Sequence, residues 1–170
     1  MSTYNKKNYI KLVDYIKTNQ DDFYRLAFSY VKNKEAALDI VQESLYKALT
    51  SVETLKNSAY MKTWLYRIIV NTSLSYIRKN QKIILMDEIR EVIEPEKSEV
   101  ADRMDLYSAI DKLDDKYRTV IILRYLEDIK IGEIAKITDS NINTVKSRIK
   151  SAIQKLRTIL EGEGYSGSKI

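Results

Sequence analysis

Over residues 1–160 the chain contains one glycine, Gly132, and one proline, Pro95; its other three glycines fall in the last ten positions. Glycine frees the backbone for turns and proline stops helices. A 170-residue chain this poor in both, and rich in Leu, Ile, Lys and Glu, is expected to be all-α. Pro95 lies in the polar run Ile93-Glu94-Pro95-Glu96-Lys97-Ser98, where it holds Glu94 away from helical dihedrals. The pattern predicts two small helical domains, 1–80 and 106–162, joined by a flexible acidic linker over 81–105, with a disordered tail at 163–170. The alternative, a loop inside one domain, would be long for a compact fold.

The net charge of +5 is unevenly divided: residues 1–80 carry +6, 81–105 carry −4 and 106–170 carry +3. Two basic blocks around an acidic one suit polyanion binding, though an ordinary solvated surface gives similar tallies. The chain has no His and no Cys. This excludes His-based acid–base pairs, thiol nucleophiles, the usual zinc sites and disulfides. No GxxxxGK[ST] or GxGxxG occurs, residues 1–11 are polar with no apolar signal segment behind them, and no apolar run approaches the roughly 20 residues of a membrane span. A cytoplasmic protein without cofactor, metal or membrane insertion is expected.

In the first half, Phe23, Leu26, Ala27, Tyr30 and Val31 form a helical stripe after the acidic start Asp21-Asp22. Over 35–52, Leu38, Val41, Leu45, Ala48, Leu49 and Val52 repeat at helical steps and predict one apolar face. Asp39, Gln42, Glu43 and Tyr46 share another. After the polar turn Lys56-Asn57-Ser58, a helix over about 59–80 should bury Met61, Leu65, Ile68, Ile69, Thr72 and Tyr76. Arg67, Asn71, Ser75 and Arg78 line a different face of it. That stripe reads either as a DNA contact, with Asn on adenine and Arg on phosphate or guanine, or as a solvated helix face.

In the second half, Leu106, Ile110 and Leu113 suggest one helix and residues 117–126 a strongly apolar second. A helix over 131–138, a break at Asp139-Ser140-Asn141 and a long helix over 142–160 have helix-turn-helix spacing. Ile134 and Ile137 should face inward, with Ile142 and Val145 packing the second helix on the first. Asp139 stands where a left-handed residue is needed, a conformation Asp tolerates better than most. Over 143–158 the chain carries Lys146, Arg148, Lys150, Lys155 and Arg157 with no acid. Asn143, Thr144, Lys146, Ser147 and Lys150 would approach bases and phosphates. Arg148, three residues after Val145, is expected to pair with Glu133.

These residues resemble a known family. Glu133-Ile134-Ala135, Asn143-Thr144-Val145-Lys146-Ser147-Arg148, Ala152 and Lys155-Leu156-Arg157 look like the C-terminal domain of extracytoplasmic-function (ECF) sigma factors of bacterial RNA polymerase; Arg118 and Leu123-Arg124-Tyr125 fit the helices ahead of it. Asp39-Ile40-Val41-Gln42-Glu43, with residues 60–68 and Asn71, looks like the N-terminal domain. The resemblance spans roughly residues 20–160. It implies an alternative initiation factor of the sigma-70 family that binds core polymerase at the β′ clamp and β flap, recognises promoter DNA and helps melt it. It also implies an anti-sigma partner, and association with the nucleoid when bound to polymerase. Asp39, Gln42, Glu43 and Tyr46 would dock on a β′ coiled coil. Lys56, Asn57 and Ser58 would form the loop that captures a flipped base, and Arg67, Asn71 and Ser75 would read the minus-ten element. Asn143, Thr144, Lys146, Ser147, Lys150 and Ser151 would face the minus-thirty-five element. Asp114-Asp115, in place of a Pro-containing turn, and Asn143, in place of a frequent Gly, depart from the family pattern.

Two other functions compete. A helix-turn-helix operator regulator would leave residues 39–43 and 60–71 without a role, and no heptad dimer seam is present. An enzyme would have only carboxylates, Lys, Tyr, Ser and Thr for chemistry, with no clustered carboxylate pair outside the linker.

Overall fold

The computed structural model describes residues 3–84 and 99–162, with side chains over 6–81 and 105–162. Among these the chain is helical throughout: α1 (Thr3–Thr18), α2 (Gln20–Val31), α3 (Lys34–Thr50), two 3-10 turns at Val52–Thr54 and Ser58–Tyr60, α4 (Met61–Ile84), α5 (Glu99–Asp111), α6 (Asp115–Ile121) running into a π turn (Ile122–Leu126), α7 (Ile131–Ile137) and α8 (Ile142–Gly162). Both ends of the 81–105 span are therefore helical, and its centre, 85–98, lies outside the described residues, as does the 163–170 tail.

The caps are written in short polar side chains. Asn33 Oδ1 accepts from the Ala36 amide at 2.9 Å and starts α3. Asn141 Oδ1 does the same for α8, from the Thr144 amide at 2.7 Å. Asp139 holds φ 51°, the left-handed residue expected in the helix-turn-helix. Helix α2 ends on Lys32 at φ 46°, its amide donating to the Phe28 carbonyl at 2.8 Å.

In the first half, α2, α3 and α4 pack around Phe23, Leu26, Ile40, Leu65 and Ile69, all fully buried. Phe23 meets the Tyr66 ring edge-on, with centroids 6.1 Å apart. Helix α3 is rotated from its expected register. Its buried line is Ala36, Ala37, Ile40, Ser44 and Ala48, whereas Leu38 is 43% exposed and Val41, Leu45 and Leu49 sit at the margin. Small side chains face the neighbouring helices because close helix approach favours them, so the largest apolar residues do not mark the inner face. Helix α1, in a stretch that reads as a polar terminus, packs through Leu12 and Ile16.

In the second half, α6, α7 and α8 enclose Val120, Leu123, Ile134, Val145 and Ile149. Ile142, expected to pack α8 on α7, is 49% exposed instead. The α5–α6 corner, where Asp114-Asp115 stand, is closed by the buried Arg118, whose Nη2 donates to the Asp111 carbonyl and, at 3.1 Å, to that of Leu113. The guanidinium thus does the turn-closing work there.

The two halves share one continuous core. Tyr30, itself buried, donates from its hydroxyl to Thr119 Oγ1 at 3.0 Å. Glu127, its side chain only 1% exposed, accepts from Arg25 Nε and from Ser29 Oγ, both at 3.3 Å. Burial pushes the Glu127 carboxyl above the usual carboxylate range, against the opposing pull of Arg25 and Ser29.

Two outcomes follow. Arg118→Ala leaves two carbonyls of a buried corner without their donor and should cost about 1–3 kcal/mol in urea denaturation, with Lys restoring little because an ammonium lacks the guanidinium fork. Because the folded-state pKa of Glu127 lies above its unfolded value of about 4.3, its favourable contribution is complete below that value and is lost as pH rises through the folded pKa. Glu127→Gln should therefore flatten the fall in denaturation midpoint above about pH 4.3; a profile as steep as that of the parent chain would exclude this assignment.

Candidate nucleic-acid interface

Helix α8 presents its polar side because Val145, Ile149, Ala152, Leu156 and Leu160, at steps of three and four, turn inward. Asn143, Lys146, Ser147 and Lys150 are exposed, and Thr144 and Ser151 are half-buried. Arg148 does not pair with Glu133. Its Nη1 donates to Ser140 Oγ at 2.9 Å, within the turn, and Glu133 pairs with Lys62 of α4 at 3.1 Å. The spacing that turns Arg148 toward the first helix of the motif brings it to the closer break residue.

On α3, Asp39, Gln42, Glu43 and Tyr46 are all exposed on one face, Tyr46 by 70%. Glu43 holds Lys47 at 2.6 Å. Leu38, displaced outward by the helix's rotation, joins this face. The result is an exposed acidic face with Tyr46 and Leu38 as its apolar members.

The loop between the two 3-10 turns carries Lys56 and Asn57 exposed at its tip, between a buried Leu55 and a half-buried Ser58. Asn57 Oδ1 accepts from the Ala59 amide at 2.9 Å and sets the start of the second turn. Further along α4, Asn71 is exposed and Ser75 half-buried. Arg67 is engaged from across the halves: its Nη2 donates to the Lys136 carbonyl and lies 3.9 Å from Asp139 Oδ1. Its Nε is buried with no partner.

A cleft of about 910 Å³ opens between the loop and the helix-turn-helix. It brings Lys56, Asn57 and Arg67 into one space with Asn143. Trp64 and Tyr60 line it too, and the Lys136 ammonium sits 4.9 Å above the Tyr60 ring. Aromatic faces beside cations and amides suit an unstacked base and its phosphate. A second gap, about 410 Å³, places Asn71 and Arg67 opposite Asp115 and Arg148. The 143–151 set and the 56–75 set are far apart in sequence, and periodicity within either half carries no signal of their meeting.

Five ion pairs join the halves among the described residues: Arg25–Glu127, Lys32–Asp111, Lys62–Glu133, Arg67–Asp139 and Arg78–Asp115. In each, the cation comes from the first half and the carboxylate from the second. Lys62, Arg67 and Arg78 belong to α4, the helix that carries the predicted DNA stripe.

Comparison with known proteins places both halves in one family. The sigma-70 region 2 family model matches residues 15–83, and that of sigma-70, region 4, matches residues 103–156. The RNA polymerase sigma factor SigV of Bacillus subtilis (strain 168) is 49% identical over 156 residues, covering 91% of this chain and 94% of the relative. The ECF RNA polymerase sigma factor SigW of the same strain is 29% identical over 160 residues, covering 85% and 86%. Among solved structures, the sigma factor RpoE in complex with the anti-sigma factor NepR from Bartonella quintana has a TM-score of 0.64 at 24% identity, over 87% of this chain and 97% of that one. CnrH in complex with the cytosolic domain of CnrY has a TM-score of 0.64 at 21% identity, over 89% and 88%, and shares the fold. With both regions matched in order and a near-full-length relative at 49% identity, the chain belongs to the ECF group of the sigma-70 family, the non-enzymatic factors that direct RNA polymerase to specific promoters.

Proposed function

We propose a division of labour between two domains, 1–80 and 106–162. The first docks on the polymerase β′ clamp through Asp39, Gln42, Glu43 and Tyr46. It captures a flipped base at Lys56, Asn57 and Ser58, and reads the minus-ten strand with Arg67, Asn71 and Ser75. The second meets the β flap and reads the minus-thirty-five duplex with Asn143, Thr144, Lys146, Ser147, Lys150 and Ser151. The observation that carries this reading is α8: a buried apolar line on one side, exposed Asn143, Lys146, Ser147 and Lys150 on the other, and a capped N-terminus at Asn141. An anti-sigma factor would cover the α3 face or the cleft. The protein works in the cytoplasm and joins the nucleoid with polymerase.

The arrangement of the halves is the resting state. Promoter elements about 25 base pairs apart lie about 85 Å apart along the duplex. Here Arg67 and Asp139 are 3.9 Å apart, and residues assigned to both elements line one cleft. The carboxylates of the second half take the places that phosphates would occupy on α4. Polymerase and promoter binding therefore separates the halves.

Run-off transcription with core polymerase tests the division. Lys146→Ala and Lys150→Ala should weaken promoter binding evenly across sequences and flatten its salt slope by about one unit each, whereas Asn143→Ala should change base preference in the minus-thirty-five element by about 5- to 100-fold. Salt slopes and preferences equal to those of the parent would refute the assignment. The chain has no cysteine, so dyes on Glu53→Cys and Gln154→Cys report the separation cleanly. Energy transfer between them should be high in the free protein and should collapse in the promoter complex. Transfer that stays high there would exclude the opening.

A further inference from the structure

The base-capture loop is held from outside the stretch that carries its chemistry. Asn8, on α1, is buried, and its Nδ2 donates to the Leu55 carbonyl at 3.3 Å. One turn on, Lys11 Nζ donates to Ser58 Oγ at 3.2 Å. Two positions three apart on the helix thus meet two positions three apart on the loop, at the two ends of the exposed dipeptide Lys56-Asn57. Asn8, Lys11, Leu12 and Tyr15 follow the i, i+3, i+4, i+7 spacing of one helix face. The fully buried Leu12 and the Tyr15–Phe23 ring contact, with centroids 6.1 Å apart, fix that face against the core. The helix cannot rotate without breaking this packing, so its two donors reach the loop from a rigid base. Asn8 and Lys11 lie ahead of the 15–83 stretch matched as region 2.

We propose that α1 is a brace for the base-capture loop and that Asn8 is a positioning residue for promoter melting. The proposal rests on the reading of Lys56, Asn57 and Ser58 as the capture loop. A buried Asn one turn from a fully buried Leu is costly unless paired, and the partner here is the Leu55 carbonyl at the loop's entrance. Tying down Leu55 and Ser58 removes most of the conformational freedom of the two residues between them. A flipped base then meets a preformed edge and does not have to order one, the condition under which contacts contribute fully to selectivity.

The test uses the full chain with core polymerase and promoter duplexes carrying a fluorescent base analogue in the minus-ten element, with each of the four bases in turn at the captured position. Asn8→Leu, which keeps the shape and removes the donor, should slow melting about three- to tenfold and level the preference among the four bases, with core-polymerase affinity unchanged. Lys11→Met, at an exposed position that folding does not depend on, should act in the same direction with a smaller effect. Lys56→Ala and Asn57→Ala serve as the reference for the loop itself. If those two leave melting and base preference unaltered, the capture-loop reading fails. If they alter both while Asn8→Leu and Lys11→Met, folded by thermal melt, keep the parent's base preference, the brace is refuted. If Asn8→Leu does not fold, an unchanged preference in Lys11→Met alone overturns it.

Discussion

Around the apolar core that the two halves share, their meeting surface has one polarity: the first half brings cations and the second brings carboxylates. Arg25, Lys32, Lys62, Arg67 and Arg78 face Glu127, Asp111, Glu133, Asp139 and Asp115 in that order. The summed charge of the chain hides this, because the second half as a block is basic. Its basic side chains gather on α8, while its acids gather on α5, α6, α7 and the turns between, where α2 and α4 approach. A domain can thus present a cationic face to DNA and an anionic face to its own partner domain. Two members of the α4 stripe, Arg67 and Arg78, meet these acids.

The strength of the contact follows from its parts. Most of the pairs are half-exposed, and such pairs contribute little each in water, roughly 0–1 kcal/mol, screened further by salt. The Tyr30–Thr119 hydrogen bond is buried and adds about 1 kcal/mol. Glu127 works in the other direction, since its burial raises its pKa despite Arg25. The halves therefore close through a shared apolar core, with many weak polar terms around it and one carboxyl whose burial works against them.

How much of this could be read from residue order differs by element. The helix-turn-helix was readable because its determinants are local: Asp139 at the left-handed position, the break at Asp139-Ser140-Asn141, and Val145 turned inward on a helix with no acid over 143–158. The exposure of Asp39, Gln42, Glu43 and Tyr46 was readable for the same reason. Helix α3's inner face was not, because close packing selected Ala37, Ser44 and Ala48 over Leu38, and hydrophobicity ranks them the other way. Helix α1 was missed because its buried residues, Asn8, Leu12 and Ile16, are interrupted by polar ones and include an amide. Arg148 and Glu133 carry complementary charges at a plausible spacing, yet each found a nearer partner, one across the halves. The failures share a cause: each depends on which surface comes from elsewhere in the chain to cover the residue, and local periodicity does not contain that.

The same reasoning explains why Arg67 has one donor unmet. Its guanidinium meets a backbone carbonyl and a distant, exposed carboxylate, leaving Nε buried without a partner. Arg118, which closes a buried corner, also keeps its Nε without a partner, but its Nη2 meets two backbone carbonyls, where that of Arg67 meets one. A guanidinium fork presents donors in the geometry that phosphate and base edges accept. Its incomplete pairing in the closed form leaves it with more to gain from nucleic acid than from Asp139. The residue that would read the promoter is thus among those held least well by the resting state, which ties release of the second half to engagement of the strand.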